Sequence, residues 1–456
     1  HVPEALCVEC RSDLYPVSYD YGWCKEHGVH NCPFCHPEVA QVKPTPEVNS
    51  ERLRRAKLAL ALRKRPENNN RCLLYRRRIQ FASEEAISKA GIDIGLVEER
   101  RMVETIKANA EIRYDQRRVA RLSPRAAGTV WRVEKEVGQS VKKGEILALV
   151  DSVEVGKAKA ELLQAIALVE LKQQTVRRMK PLVGNAISGA KFLEAQAELK
   201  TAQISQVSAQ QALLNLGLPV EVKDLKGLSP EEMAEKIRFQ GLPRSLISSL
   251  ESKVATANLI PVVSPLDGVV IEREVVAGEV ADSSKLLFVV ADTRRMWLIL
   301  DIPQEEAPFI KTGQRVQFRR HSKERAINGK ISWVSTRIDE STRTLKARAE
   351  LDNPQGDLRA STFGTALVVL REEAKAFVVP SEALQWDASC HAVFVRDKNY
   401  FDKPTAKLFH VRTIRTGVKE DGFTEVIAGV LPGEVIAVKG SGVLRGQLLR
   451  NNLGAG

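Results

Sequence analysis

The chain has 456 residues, too many for one compact core, so roughly two to four domains are expected. It is 43% hydrophobic, 28% charged and only 5% aromatic, which argues against wholesale disorder and against a large aromatic ligand pocket. The formal net charge of +12 suits nucleic acid, an anionic membrane surface or an acidic protein, and no run of about 18 apolar residues exists to span a bilayer as a helix.

Residues 1–50 are rich in Cys, His and Pro and poor in aliphatics, so they cannot build an ordinary core. Five of the seven cysteines fall here: Cys7, Cys10, Cys24, Cys32 and Cys35. Cys24-Lys-Glu-His27 followed by Cys32-Pro-Phe-Cys35 offers three thiolates and one imidazole, a closed tetrahedral set suited to zinc or another heavy metal. His1 with Cys7-Val-Glu-Cys10 reads as the same unit lacking its first cysteine. Alternatively Cys7, Cys10, Cys32 and Cys35 share one ion, with His30 and His36 as further candidates. Disulfides are the competing reading. Histidine at a fixed offset, in a segment that needs a staple, favours metal, and structural metal over cargo. Cys72 and Cys390 are expected to be ordinary small apolar residues. The chain opens on His1 rather than Met, which points to a processed start with a signal peptide or lipid anchor lost ahead of it.

Residues 51–100 read as a solvated basic linker, with Arg52, Arg54, Arg55, Lys57, Arg63, Lys64 and Arg65 crowded together and a short helix near Glu84–Ala90. Residues 101–150 and 260–450 read as short strands between Gly, Pro and Asp turns. Residues 153–216 have helix composition. Alternating steps of three and four pick out Val155, Ala158, Leu162, Ala165, Val169, Lys172, Val176, Met179 and Val183, then Phe192, Ala195, Leu199, Ala202, Gln206, Ala209, Leu213 and Leu216, with only Lys172 and Gln206 polar. Such narrow heptad seams bury themselves only against one another, and Pro181–Gly189 supplies the reversal, so an antiparallel helical hairpin is predicted. Ser229-Pro-Glu-Glu232 is a capping box opening a further helix, and another is expected over 243–254.

A repeat brackets these helices. Pro124-Arg-Ala-Ala-Gly128-Thr-Val-Trp-Arg-Val, Val137-Gly-Gln-Ser-Val141 and Ile146-Leu-Ala-Leu-Val150 correspond to Pro265-Leu-Asp-Gly268-Val-Val-Ile-Glu-Arg, Ala277-Gly-Glu-Val280 and Leu286-Leu-Phe-Val-Val290. Each half is too small to fold alone, and two facing halves would close a flattened β-sandwich.

A sandwich split by a helical hairpin resembles the lipoyl-like domain of the HlyD/RND membrane-fusion adaptor family. Downstream, Met296–Pro303, Asp339-Glu-Ser-Thr-Arg-Thr344, Val379-Pro-Ser-Glu-Ala383 and Pro432–Gly440 are similar to the family's β-barrel and membrane-proximal domains. A true carrier would show a modifiable lysine where this chain has Asp151-Ser152, so neither lipoate nor biotin is expected. The resemblance implies a mainly β, elongated multidomain fold. Its parts are a Cys/His module (1–50), the basic linker (51–100), a membrane-proximal strand (101–121), the lipoyl-like halves (122–152 and 259–293) around a hairpin with short extra helices (153–258), a β-barrel (294–371) and a membrane-proximal domain (372–456).

It also implies a non-enzymatic periplasmic adaptor between an inner-membrane RND transporter and a TolC-like outer-membrane channel, self-associated in a ring. Arg178, Leu182, Ile187 and Ser188 at the hairpin tip would meet the channel. Some heavy-metal adaptors carry N-terminal metal-binding extensions, which fits the cysteine cluster. Met102, Met179, Met233 and Met296 are unclustered, against a methionine-based Cu(I) relay. An ABC-exporter adaptor is the alternative within the family. A zinc-ribbon nucleic-acid-binding protein is the alternative outside it, weakened by the few basic residues near the cysteines.

Overall fold

A computed structural model describes residues 20–65, 67–225, 227–243, 247, 257–321, 325–387, 390–402 and 407–453. His1, Cys7 and Cys10 lie outside the described residues, as does almost all of the helix expected over 243–254. The α-helices used below are α1 (Ser50–Leu62), α2 (Glu84–Lys89), α3 (Val153–Met179), α4 (Gly189–Asn215), α5 (Pro230–Arg238) and α6 (Ser441–Leu453). None of the described helices is long and apolar enough to cross a membrane. The chain divides into two compact units, one of His1–Ala110, Ile299–Ala349 and Phe363–Gly456, the other of Glu111–Leu298 and Glu350–Thr362.

The second unit holds the repeat and the hairpin. Its two four-stranded sheets run, in order, Leu259–Val263, Ile146–Asp151, Gly128–Val133, Val280–Ala281 and Val119–Leu122, Phe288–Ala291, Gly268–Arg273, Ser140–Val141. Each half lends its two-residue strand to the other's sheet, so the halves interlock rather than merely face one another. Val130, Leu147, Val150, Val270, Leu287, Phe288 and Val290 fill the space between them. The repeated glycines have a steric cause. A Cβ on Gly128 would sit 2.2 Å from the Asp151 carbonyl oxygen, and one on Gly268 would sit 2.4 Å from that of Ala291.

From this sandwich α3 and α4 pair with each other, each 27 residues long. On α3 the predicted seam is buried at Val155, Ala158, Leu162, Ala165 and Val169 but only half-buried at Lys172, Val176 and Met179, and Val183 beyond the helix is exposed. On α4 only Ala195, Ala202 and Leu213 are fully buried. The capping box forms in full, with the Glu232 amide donating to Ser229 Oγ (3.2 Å) and the Ser229 amide to Glu232 Oε2 (2.8 Å).

At the hairpin base Lys159 is 2% exposed, and its Nζ donates to the carbonyls of Arg238 (3.0 Å) and Ala257 (2.8 Å). Those bonds tie α3 to the end of α5 and to the returning chain. Burial holds the Lys159 ammonium down to about 8, from an ordinary 10.5. The folded state therefore binds fewer protons than the unfolded chain between those values, and stability rises with pH across that window. Relative to Lys159→Met, the wild-type chain is expected to gain roughly 3 kcal/mol from pH 7.5 to 10.5. Urea midpoints of the two proteins at both pH values measure this, and a flat difference would refute it.

The first unit contains the barrel strands and the C-terminal domain. Arg315–Arg319 pairs with both Ile327–Asp339 and Phe363–Pro380, burying Val316, Phe318, Ile331, Ala366 and Val368. The end of Phe363–Pro380 pairs with Phe423–Ala428, which pairs in turn with Arg415–Glu420. A further sheet has the order Arg78–Phe81, Lys407–Thr413, Cys390–Arg396, Val435–Ala437, Ile94–Leu96.

Two expectations are corrected here. Residues 51–100 are not a solvated linker, because Arg78–Phe81 and Ile94–Leu96 are the end strands of that sheet's main path. In addition, α1 buries Ala56 and Ala59 against Val379 and Val426. The basic cluster is largely paired: Arg52 with Glu99 (3.1 Å), Arg55 with Glu373 (2.6 Å), Arg63 with Glu306, and Arg65 with Glu104 (2.6 Å). Cys72 and Cys390 are buried as expected of small apolar residues, but they form a disulfide across 318 residues of sequence.

Candidate metal centre

The centre is built by two consecutive tight turns. Trp23–Cys24 and Val29–His30 form a minimal antiparallel hairpin, closed by the Gly28 amide donating to the Cys24 carbonyl (2.9 Å). Gly28 takes the left-handed conformation (φ +62°) that lets the chain reverse so sharply. A second turn follows, with the amides of Cys35 and His36 both donating to the Cys32 carbonyl (3.2 and 2.9 Å). A three-residue step around each turn brings its two donors to the same side, so the four side chains converge.

His27 Nδ1 lies 3.5 Å from each of the Cys24, Cys32 and Cys35 sulfurs, and the Cys24 and Cys35 sulfurs are 3.7 Å apart. All four donor atoms lie within 4.8 Å of one another. A tetrahedral ion with bonds of about 2.3 Å to sulfur and about 2.05 Å to nitrogen places sulfurs roughly 3.8 Å apart and sulfur–nitrogen pairs roughly 3.5 Å apart. The donor set therefore has the dimensions of a metal cage and could hold an ion.

Electrostatics agree with that reading. Cys32 and His27 are buried, Cys24 is half-buried and Cys35 is exposed. Burial pushes the Cys32 thiol up, pushes the Cys35 thiol up to about 11, and lowers His27. A cation is the charge that would convert such thiols to thiolates, with release of their protons.

The other expected ligands point elsewhere. The His30 ring stacks on Tyr75 (4.3 Å) with Nε2 2.9 Å from the Asn70 carbonyl, and the His36 ring stacks on Tyr21 (3.7 Å) beside Glu38. Neither belongs to the four-donor cluster: the His30 ring nitrogen meets a backbone carbonyl and the His36 ring nitrogen faces Glu38. Among the described residues, Cys32 and Cys35 are joined by Cys24 and His27, while Cys7 and Cys10 lie outside the described residues.

The cysteine knuckle is not a free-standing module. Val29, Cys32 and Phe34 share one core with Phe377, Val379, Val393 and Ile427. The His30 amide donates to Thr413 Oγ1 (3.0 Å), and Asn68 donates to the carbonyls of Gly28 (3.2 Å) and Ile414 (2.9 Å) while accepting from the His391 amide (2.9 Å). Sequence reasoning missed Asn68. It sits in Pro66-Glu-Asn-Asn-Asn70, whose composition signals a loop but gives no hint of which backbone groups its amide bridges.

At the far end of the hairpin, Arg178, Leu182 and Ser188 are exposed and Ile187 is half-buried. The amides of Ala186 and Ile187 donate to the Leu182 carbonyl (3.1 Å each), and Ser188 Oγ caps α4 by accepting from the Lys191 amide (3.4 Å).

Three models of adaptor domains match in succession: a CzcB-like barrel-sandwich hybrid domain over residues 118–292, a CusB-like β-barrel domain over 295–371 and a CzcB C-terminal circularly permuted SH3-like domain over 377–445. The chain is 26% identical over 366 residues to the cobalt-zinc-cadmium resistance protein CzcB of Cupriavidus metallidurans, covering 80% of this chain and 62% of that protein. It thus spans less than two thirds of that relative's length. It is 23% identical over 328 residues to the nickel-cobalt-cadmium resistance protein NccB of Alcaligenes xylosoxydans xylosoxydans, covering 72% of each. Similar solved structures include ZneB from Cupriavidus metallidurans (22% identity, TM-score 0.40, 59% of this chain and 100% of that one). They also include a MacA–MexA chimera carrying the Pseudomonas aeruginosa MexA α-hairpin (21% identity, TM-score 0.48, 75% and 98%).

Proposed function

We propose that this chain, which belongs to the CzcB-like membrane-fusion adaptor family, is a periplasmic adaptor joining an inner-membrane RND transporter to a TolC-like outer-membrane channel. The observation that carries the proposal is the succession of three adaptor-domain models between residues 118 and 445, with a helical hairpin inserted between the two halves of the first. The family is non-enzymatic, and the work is mechanical: sealing a conduit and coupling transporter movement to channel opening. The names of two relatives, cobalt-zinc-cadmium and nickel-cobalt-cadmium resistance proteins, support divalent transition-metal cations as the exported class.

Within this adaptor, Cys24, His27, Cys32 and Cys35 hold a zinc ion with a structural role. Three thiolates and an imidazole in a closed set leave no open position for a substrate. Ion pairing of Arg52, Arg55, Arg63 and Arg65 takes up the charge that a nucleic-acid-binding reading needs.

The adaptor reading is tested at the hairpin tip, where Arg178, Leu182, Ile187 and Ser188 contact the channel. Replacing residues 181–189 with a Gly/Ser turn of equal length is expected to abolish channel cross-linking and metal tolerance in cells that depend on this chain, at unchanged protein level. Full tolerance to cobalt, zinc, cadmium and nickel in such cells would remove the proposal.

A further inference from the structure

The three free cysteines among the described residues are Cys24, Cys32 and Cys35, all in the metal cluster, while Cys72 and Cys390 of the same unit are joined as a disulfide. A chain that carries a disulfide matures where thiols meet oxidants, so the cluster thiols are open to oxidation unless something guards them. A bound metal is such a guard, because a coordinated thiolate has its lone pair engaged and its approach blocked.

We infer that Cys24 and Cys35 are a redox modification site guarded by the metal: when the ion leaves, a small-molecule disulfide converts the pair to a disulfide that excludes metal. This rests on the zinc reading above. The geometry selects the pair. The two sulfurs are 3.7 Å apart, and side-chain rotation closes the remaining gap to a bond of about 2.05 Å. Cys35 is exposed and takes the incoming disulfide; Cys24 is half-buried beside it; Cys32 is 1% exposed and packed in the core with Val29 and Phe34.

The chemistry balances with a disulfide of the glutathione class as oxidant. The Cys35 sulfur, giving up its proton, attacks one sulfur of the oxidant; a mixed disulfide forms and one thiol leaves. The deprotonated Cys24 sulfur then attacks Cys35 Sγ, forming the Cys24–Cys35 bond and releasing the second thiol. Two cysteines are oxidised and one small disulfide is reduced to two thiols. The product retains only His27 and Cys32 as donors, too few for a tetrahedral site, so oxidation and metal binding exclude each other.

The full chain, loaded with zinc or stripped by a chelator, is incubated with oxidised glutathione, alkylated and digested with trypsin. Cleavage after Arg11, Lys25 and Arg52 puts Cys7 and Cys10 in one peptide, Cys24 in a second (12–25) and Cys32 with Cys35 in a third (26–52), since Lys43 precedes Pro44. The expected result is a cross-link between the second and third peptides in the stripped protein, formed at least about tenfold faster than in the zinc-loaded protein. Zinc uptake is lost with the cross-link and returns on reduction. Alkylation of Cys24, Cys32 and Cys35 together in the stripped protein, a loop within the third peptide, or equal rates with and without zinc would each overturn the inference. Zinc content measured before stripping separates the two readings, since a chain that never holds zinc refutes the metal site itself.

Discussion

Removing the metal from the Cys24–His27–Cys32–Cys35 site is expected to lower the melting temperature of the unit containing the C-terminal domain by about 8–16 °C. The size follows from linkage. An ion present at about a thousandfold its dissociation constant, and bound only by the folded state, contributes about 4 kcal/mol. A unit of this size shifts by roughly 2–4 °C for each kcal/mol. The direction follows from packing. Cys32 and Phe34 share a core with Phe377, Val379 and Ile427, so loosening the knuckle opens that core rather than a separate appendage. Thermal unfolding of the full chain, followed by circular dichroism with zinc and then with excess chelator, measures the shift. His27→Ala should reproduce the chelated value and become insensitive to chelator. A transition that ignores both treatments would mean that the four donors hold no structural ion.

The convergence of Cys24, His27, Cys32 and Cys35 was legible as one of two sets, because two three-residue steps, each around one turn, are local information; spacing alone left the set with Cys7 and Cys10 open. What the knuckle packs against was not legible, since Asn68, Thr413 and His391 are brought to it from distant segments. The Cys72–Cys390 disulfide was missed for the same reason, because no spacing rule reaches across 318 residues. Heptad stepping ran along α3 from Val155 to Val183 and matches burial only as far as Val169, where one narrow stripe meets a partner helix. The split repeat revealed the two halves of the sandwich but not their interlocking, because Ser140–Val141 and Val280–Ala281 are too short to show a period. Residues 51–100 misled through composition. Seven clustered cations suggest a solvated face, and the acids that neutralise four of them lie at 99, 104, 306 and 373. The exposed tip residues carried no physical signal beyond the reversal itself, so their role rests on the family resemblance.

The same misread segment leads to the second large effect. Arg65 pairs with Glu104 (2.6 Å), Glu104 with Arg371 (3.4 Å), and Arg371 with Glu425 (2.6 Å), and every side chain in this alternating chain is 15% exposed or less. Glu425 also accepts from the Val418 amide (3.1 Å), and it fits only because residue 417 is glycine, where a Cβ would lie 2.1 Å from Glu425 Oε2. Glu425→Ala is expected to cost about 3–5 kcal/mol, because it leaves the buried Arg371 guanidinium with one weak partner. The Val418 amide also loses its acceptor. Replacing both ends, Arg371→Leu with Glu425→Leu, should cost clearly less than the sum of the single changes, since no uncompensated charge remains. Urea titrations of the three variants give these values, and raising the salt concentration should change them little, since buried pairs are poorly screened. If Glu425→Ala costs under about 1 kcal/mol, or if the single effects simply add, the charges are solvated in the folded protein and the network does not hold residues 51–100 onto the C-terminal domain.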